Sequence, residues 1–339
     1  GSSVPDPRSP APPSGRHCRS WPREQSRVDD PSHWSDLDAR SNVTTAADWS
    51  AMANRLWRLL EPYHALVYFA PEHRDACDRA GLRGGWMAYF ASRSAPLGRV
   101  PAAVVAALFH NFHPAMVARA IPDAWSNATP ADVLAAREQA MDAALDRILG
   151  RDLVSERLVQ AAQLGTAAAT AADPAGRPMF AANLALDLPE APHLALWQAA
   201  TMLREHRGDG HVAALTAAEI DGCQAHVLQV AAGVANRDLL QPNRGWSDHD
   251  WDEATVSLID RGWFTPAGQL THQGRQIRGE LAASTDRLAA APFRRFGEAR
   301  TLVLLDAMEP ITRSVLQARE VPYPNPMGVP VPGPRTRER

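Results

Sequence analysis

The chain has 339 residues, 45 % hydrophobic content and a formal net charge of −3. That is length enough for two ordinary domains and apolar content enough for a packed core. A charge so close to neutral implies no general attraction to nucleic acid or to an anionic membrane surface. All 35 basic residues are arginine. Cys18, Cys77 and Cys223 are odd in number and widely spaced. With no CxxC pair, neither a disulfide framework nor a thiolate zinc site is expected, and a reducing cytoplasm is the simplest setting. No run reaches the roughly 18 apolar residues of a membrane span, and the N-terminus lacks a signal-peptide core.

Residues 1–46 are rich in Pro, Ser, Arg and Asp and read as a disordered tail, with Trp21 and Trp34 as the residues able to dock it. Order begins near Thr45. Met52, Leu56, Leu59, Leu60, Tyr63 and Val67 recur at helical spacing, with a kink or restart expected at Pro62. PEHRDACDRAG predicts a second helix closed by Gly81. GGWMAYFASRSAPLG turns at Pro96 and Gly98. The stretch from Pro101 to Trp125 predicts two helical pieces broken before Pro114. ATPADVLAAREQAMDAALDRIL is amphipathic, residues 151–171 predict a further helix, and DPAGRP a turn.

A helix over PHLALWQAATMLREH is expected to end in a glycine turn at RGDG, residues 207–210. Thr216 and Glu219 predict a capping box for the next helix. Ser247 then caps a helix from about Asp248 to Arg261, and a short hairpin and a long helix follow. That order is the order of a winged helix-turn-helix. One last helix precedes a proline-rich end. The expected fold class is therefore mainly α: a helical N-terminal half (47–192), a winged helix-turn-helix module with a short β wing (193–320), and tails at 1–46 and 321–339.

RGWSDHDWDEATVSLIDRGWFTPAGQLTHQGRQIRGEL resembles the winged helix of the MarR class, including L-T-x-x-G at Leu270, Thr271 and Gly274. Through LLEPYHALVYF, YFASRSAPLG, LREHRGDGHVAAL and PYPNPMG, residues 48–330 also resemble an actinobacterial family that joins a helical half to this MarR-like module. The resemblance implies an architecture but no particular activity. A MarR likeness implies a transcription regulator. The helix that would enter DNA, however, carries Asp248, Asp250, Asp252, Glu253 and Asp260 against Arg261. Duplex binding rests on cations that neutralise phosphates, so nucleic acid is an unlikely partner on this charge pattern.

Four polar groups interrupt the apolar helices. They are Glu61, Tyr63, His64 and Tyr68; Arg93; His110, Asn111 and His113; and the run Glu205, His206, Arg207, Asp209 and His211. Each has a structural explanation, such as a cap, a satisfied buried histidine or an ion pair between Glu61 and Arg207. Together they point to a cleft between the two halves, because a buried charge is costly unless paired or functional. His206, His211 and His64 with Glu61 are the expected acid–base groups. Arg207, Arg93, Tyr68, His113 and Asn111 are the expected ligand-binding groups. No motif indicates a cofactor. His64, His206 and His211 form an alternative metal-ligand set, against which stand the absence of HExxH and an unusual spacing. The reading that follows is an enzyme acting on a small organic molecule, in the manner of specialised metabolism. The alternatives are a ligand-sensing MarR-like regulator and a non-catalytic natural-product binding or resistance protein. The chemistry calls for a small-molecule partner and no membrane, and leaves homodimerisation open.

Overall fold

Prolines and capping side chains set most helix boundaries in the computed structural model, which describes residues 48–325 and 327–328. The tail at 1–46, with Trp21, Trp34 and Cys18, and most of the proline-rich end lie outside the described residues. Asp48 accepts from the Ala51 amide and opens α1 (Trp49–Phe69). This helix runs unbroken through Pro62, where the sequence predicts a kink or restart. Proline removes one intrahelical donor, but Leu56, Leu60, Tyr63 and Leu66 on either side are fully packed and hold the axis.

Next come α2 (Pro71–Arg79), α3 (Gly84–Ser94), α4 (Ala102–Phe109), α5 (Pro114–Ala118) and α6 (Asp123–Asn127). The segment from Pro101 to Trp125 thus divides into three pieces rather than two. A Thr129–Asp132 capping box starts α7 (Pro130–Leu149), and Ser155 caps α8 (Glu156–Thr170). The short α9 (Pro178–Leu184) leads to α10 (Pro192–Ala217).

RGDG does not end α10. The helix continues for 26 residues through both glycines. Space, not backbone conformation, explains Gly210. A Cβ there would meet the Arg177 guanidinium and lie 3.2 Å from the Leu288 Cβ. The glycine lets a side chain and a neighbouring helix cross α10 closely.

The predicted Thr216–Glu219 box is absent as well. Thr216 Oγ1 donates to the Val212 carbonyl inside the helix. The box forms instead between Asp221 and Gln224, opening α11 (Gly222–Ala231). Then follow α12 (Arg237–Arg244), α13 (Asp248–Asp260) with its Ser247–Asp250 capping box, α14 (His272–Ala289), α15 (Ala291–Phe296) and α16 (Glu298–Ala318).

The β wing is a correction. Among the described residues it amounts to one antiparallel bridge, Phe264 to Leu270, and no strand. A tight turn fills the space, with Thr265 N donating to Gln269 O and Gly268 N to Thr265 O, both at 2.8 Å. Pro266 has no amide with which to extend a ladder. The L-T-x-x-G motif closes the turn. Thr271 Oγ1 lies 2.8 Å from the Gly262 carbonyl and accepts from Gly274 N at 3.0 Å. Gly274 sits where a Cβ would overlap the Trp263 carbonyl oxygen.

α10 is the central strut, packed against α1, α8, α9 and α14, while α16 covers α1 and α8. One apolar cluster gathers Leu82, Phe90, Phe109, Phe112, Ile121 and Val133; a second, inside the module, gathers Ile220, Leu228, Trp251, Leu258, Trp263 and Phe264. No described helix is long and apolar enough to cross a membrane.

Candidate functional site

The run from Glu205 to His211 spreads over three faces of α10, because residues three or four apart share a face and adjacent ones do not. Trp197, Thr201 and Glu205, at i, i+4 and i+8, face a small cavity. His206 and Asp209 face α9. The His206 ring packs edge-on against Phe180, and the Asp209 carboxylate accepts from the amides of Met179 and Phe180 at 3.4 and 2.9 Å. Arg207 and His211 face α14. Arg207 pairs with Asp286 at 2.7 Å, and His211 Nδ1 meets Thr285 Oγ1 at 3.0 Å.

The expected meeting of His64, His206 and His211 in one pocket does not occur, since only His64 lines the cavity. Among the described residues no three His, Cys, Asp or Glu side chains are grouped to hold a metal. Arg207 pairs with Asp286 and stacks over Trp57 at 4.5 Å, not with Glu61, whose arginine partner is Arg204 at 3.5 Å.

The cavity lies where α1, α3, α7 and α9 meet α10. It is lined by His64, Tyr68, Arg93, Arg137, Asn183 and Glu205, with Ser92, Trp197 and Thr201. Its free volume is about 10 Å³, room for about one water molecule. Glu205 is 1 % exposed. It takes both prongs of Arg93, at 2.9 and 3.0 Å, and Arg204 Nη1 at 2.7 Å. Burial pushes its carboxyl up, but Arg204 and Arg93 outweigh that and hold it well below the usual range. Arg93 is stacked on Phe109 at 4.0 Å and donates to Tyr89.

Arg137 differs. It is 6 % exposed, donates to the Ser92 carbonyl at 3.0 Å and lies over Trp197, yet no carboxylate among the described residues pairs with it. Burial lowers its pKa to about 10. Among the charges lining the cavity, Arg93 and Arg137 stand against Glu205 alone. Arg137 thus has no carboxylate in contact, Glu205 and Glu138 acting on it only from a distance, and a buried cation so weakly compensated is costly. A second deficit adjoins it: Asn183 is 1 % exposed, its Nδ2 donates to Met179 O, and its Oδ1 has no partner.

His64 is fully engaged. Thr201 Oγ1 donates to Trp197 O, so it accepts from His64 Nδ1 at 2.9 Å; His64 Nε2 is then the acceptor for the Tyr68 hydroxyl at 3.2 Å. Burial keeps the imidazole neutral, with Arg204 adding to the effect. Tyr68 is left with acceptor capacity on its oxygen.

His110, Asn111 and His113 are not at the cavity. They form a strap onto the module. His110 Nε2 reaches Ile220 O at 3.1 Å, the Asn111 carbonyl accepts from His226 and Trp246 at 3.1 Å each, and His113 N donates to Arg244 O at 2.8 Å. His113 Nδ1 also caps α5 through Ala115 N. Gly222 sits where a Cβ would overlap the His110 carbonyl oxygen, and His110 itself holds φ +51°, a strained conformation for a residue with a side chain.

Arg137, Arg204, Thr201 and Asn183 are not among the residues that the sequence reading singled out. Arg137 had a signal. It stands four residues from both Val133 and Met141 on the buried stripe of an amphipathic helix. Asn183 had none beyond a polar residue in MFAANLAL.

On the module, Asp248, Asp252, Glu253 and Asp260 are exposed along α13. Three of its arginines are engaged within the module: Arg261 bonds the Glu219 and Ala218 carbonyls, the exposed Arg275 bonds the Leu270 carbonyl, and Arg237 pairs with Asp248.

The described residues are mainly helical, with one β-bridge and no strand. The chain belongs to a helix-turn-helix family whose model matches residues 53–322, from α1 past the end of α16. No curated protein and no solved structure matches the chain.

Proposed function

We propose that the protein is a ligand-sensing regulator, in which a small ligand in the α1–α3–α7–α9–α10 cavity sets the disposition of the helix-turn-helix module. One observation carries this. α10 presents Glu205 to the cavity and, two and six positions on, Arg207 and His211 to α14, the helix that follows the module's turn. Occupancy that moves Glu205 moves the anchors of α14 with it. Membership of a helix-turn-helix family supports a regulatory output, and a MarR-like relation is the finer form of this reading.

Catalysis has less support. His206 and His211 lie off the cavity, and both nitrogens of His64 are engaged. A second reading, ligand binding without DNA binding, is favoured by the exposed carboxylates of α13, which phosphates repel. Fluorescence polarisation with duplex DNA from around the protein's own gene, at low salt and with small anions added, separates the two. A regulator shows DNA affinity that changes with the anion. Saturable anion binding with no DNA affinity at any salt selects sequestration and overturns regulation through DNA.

A further inference from the structure

Resting on the reading of the cavity as a ligand site, we propose that its ligand is a very small hydroxylated carboxylate-type anion, bicarbonate being the smallest: its negative oxygens lie on Arg137 and its O–H donates to Asn183 Oδ1. The two deficits of the cavity are complementary to the two ends of such a molecule. Arg137 supplies unpaired positive charge and planar, forked donors suited to a carboxylate. Asn183 Oδ1, buried and unpartnered, requires a donor. Tyr68 cannot supply it, because the chain Tyr68 to His64 to Thr201 to Trp197 points the hydroxyl hydrogen at His64. The Tyr68 oxygen is thus a second acceptor on the wall, and an anion without a hydrogen presents lone pairs to both.

Size limits the class. A free volume of about 10 Å³ holds about one water, so a four-atom anion enters only as the lining side chains shift outward, and a multi-ring ligand only if the helices part. Water satisfies the hydrogen bonds but not the charge. Formate satisfies the charge but leaves Asn183 without a donor, which a buried acceptor penalises by about tenfold in affinity. Bicarbonate satisfies both.

The test is isothermal titration of the full chain at pH 8 and constant ionic strength with sodium bicarbonate and, separately, sodium formate. At pH 8 Arg137 remains charged. The expected result is saturable bicarbonate binding about tenfold tighter than formate. Asn183→Leu removes that preference and keeps formate binding, while Arg137→Gln loses both. Arg137→Lys, which keeps the charge and gives up the fork, guards against misfolding of the Gln variant and binds bicarbonate more weakly than the wild type. Equal affinity for the two anions overturns the hydroxylated class and leaves ligand sensing standing. No saturable binding of either anion by folded wild-type protein, which is the outcome if water alone occupies the cavity, overturns the inference and removes the cavity as the sensing site.

Discussion

Arg93 and Glu205 are 112 positions apart in sequence and meet in a two-pronged ion pair, at 2.9 and 3.0 Å, at the wall of the cavity. The pair ties α3 to α10, and Arg204 adds a third charged contact to the same carboxylate. Glu205→Gln leaves two buried guanidinium groups poorly compensated and is expected to lower stability by about 3–5 kcal/mol. Arg93→Met costs less, because Glu205 keeps Arg204. Urea unfolding of both variants checks the order. Equal or reversed losses would show that Glu205 is not the hub of the network.

Acid is expected to destabilise the protein below about pH 6.5 through its buried histidines, opposed in part by Asp209, whose carboxyl is pushed up to about 6 by burial. Burial lowers the pKa of His73, His206 and His211 to about 4 and that of His226 to about 3. These rings are neutral when folded, whereas the unfolded chain takes up protons below the ordinary value of about 6.5. Stability is therefore full above that value and falls as pH drops toward 4, by up to about 1.4 kcal/mol per pH unit for each histidine. Melting temperatures between pH 7.5 and 4.5 measure this. A flat profile to pH 5 contradicts the buried, neutral assignment.

Glycine replacements separate crowding from helix propensity. Gly222→Ala drives a methyl group into the His110 carbonyl, and Gly274→Ala into that of Trp263. Both obstacles are backbone, so each substitution is expected to cost about 1–3 kcal/mol or more. Gly279→Ala lies inside α14 with nothing within 4 Å and is expected to stabilise by roughly 0.5–1 kcal/mol. Thermal melts of the three single variants suffice. A neutral Gly222→Ala would mean that the strap and α11 are not in close contact.

Arg207 anchors α14 through Asp286, which also accepts from Asn54 of α1. Arg207→Ala is expected to uncouple the module while leaving the cavity intact. Anion affinity by titration stays within about twofold of wild type, and any anion effect on DNA affinity is lost. A large fall in anion affinity instead places Arg207 in the ligand site.

Much of the fold was legible because caps and periodicity are local. Asp248–Asp260 with its Ser247 cap followed from spacing, whereas L-T-x-x-G stood out only through the MarR-class resemblance, as a wing motif, and closes a turn instead. What misled was glycine and proline chemistry read without neighbours. Gly210 suggests a turn in sequence, whereas in the structure it gives room to Arg177 and Leu288. Pro62 suggests a break that surrounding packing overrides. For the site, the clustering of Glu205 to His211 suggested one shared pocket. Adjacent helical positions face different ways, however, so the cluster serves three neighbours rather than one pocket. Glu61, His64, Tyr68 and Arg93 are held around the cavity or its ion-pair network, but Arg137 and Asn183 reach it through tertiary packing that no local pattern records.

Hydrogen–deuterium exchange of the full chain, with and without whichever of bicarbonate and formate binds more tightly, tests the coupling of cavity to module most directly. Coupling predicts altered protection beyond the cavity, in residues 110–113, in α11 to α13 and at the Asp286 end of α14, rising with occupancy. Changes confined to α1, α3, α7, α9 and the Glu205 turn of α10 would contradict it and leave a ligand site with no route to the helix-turn-helix.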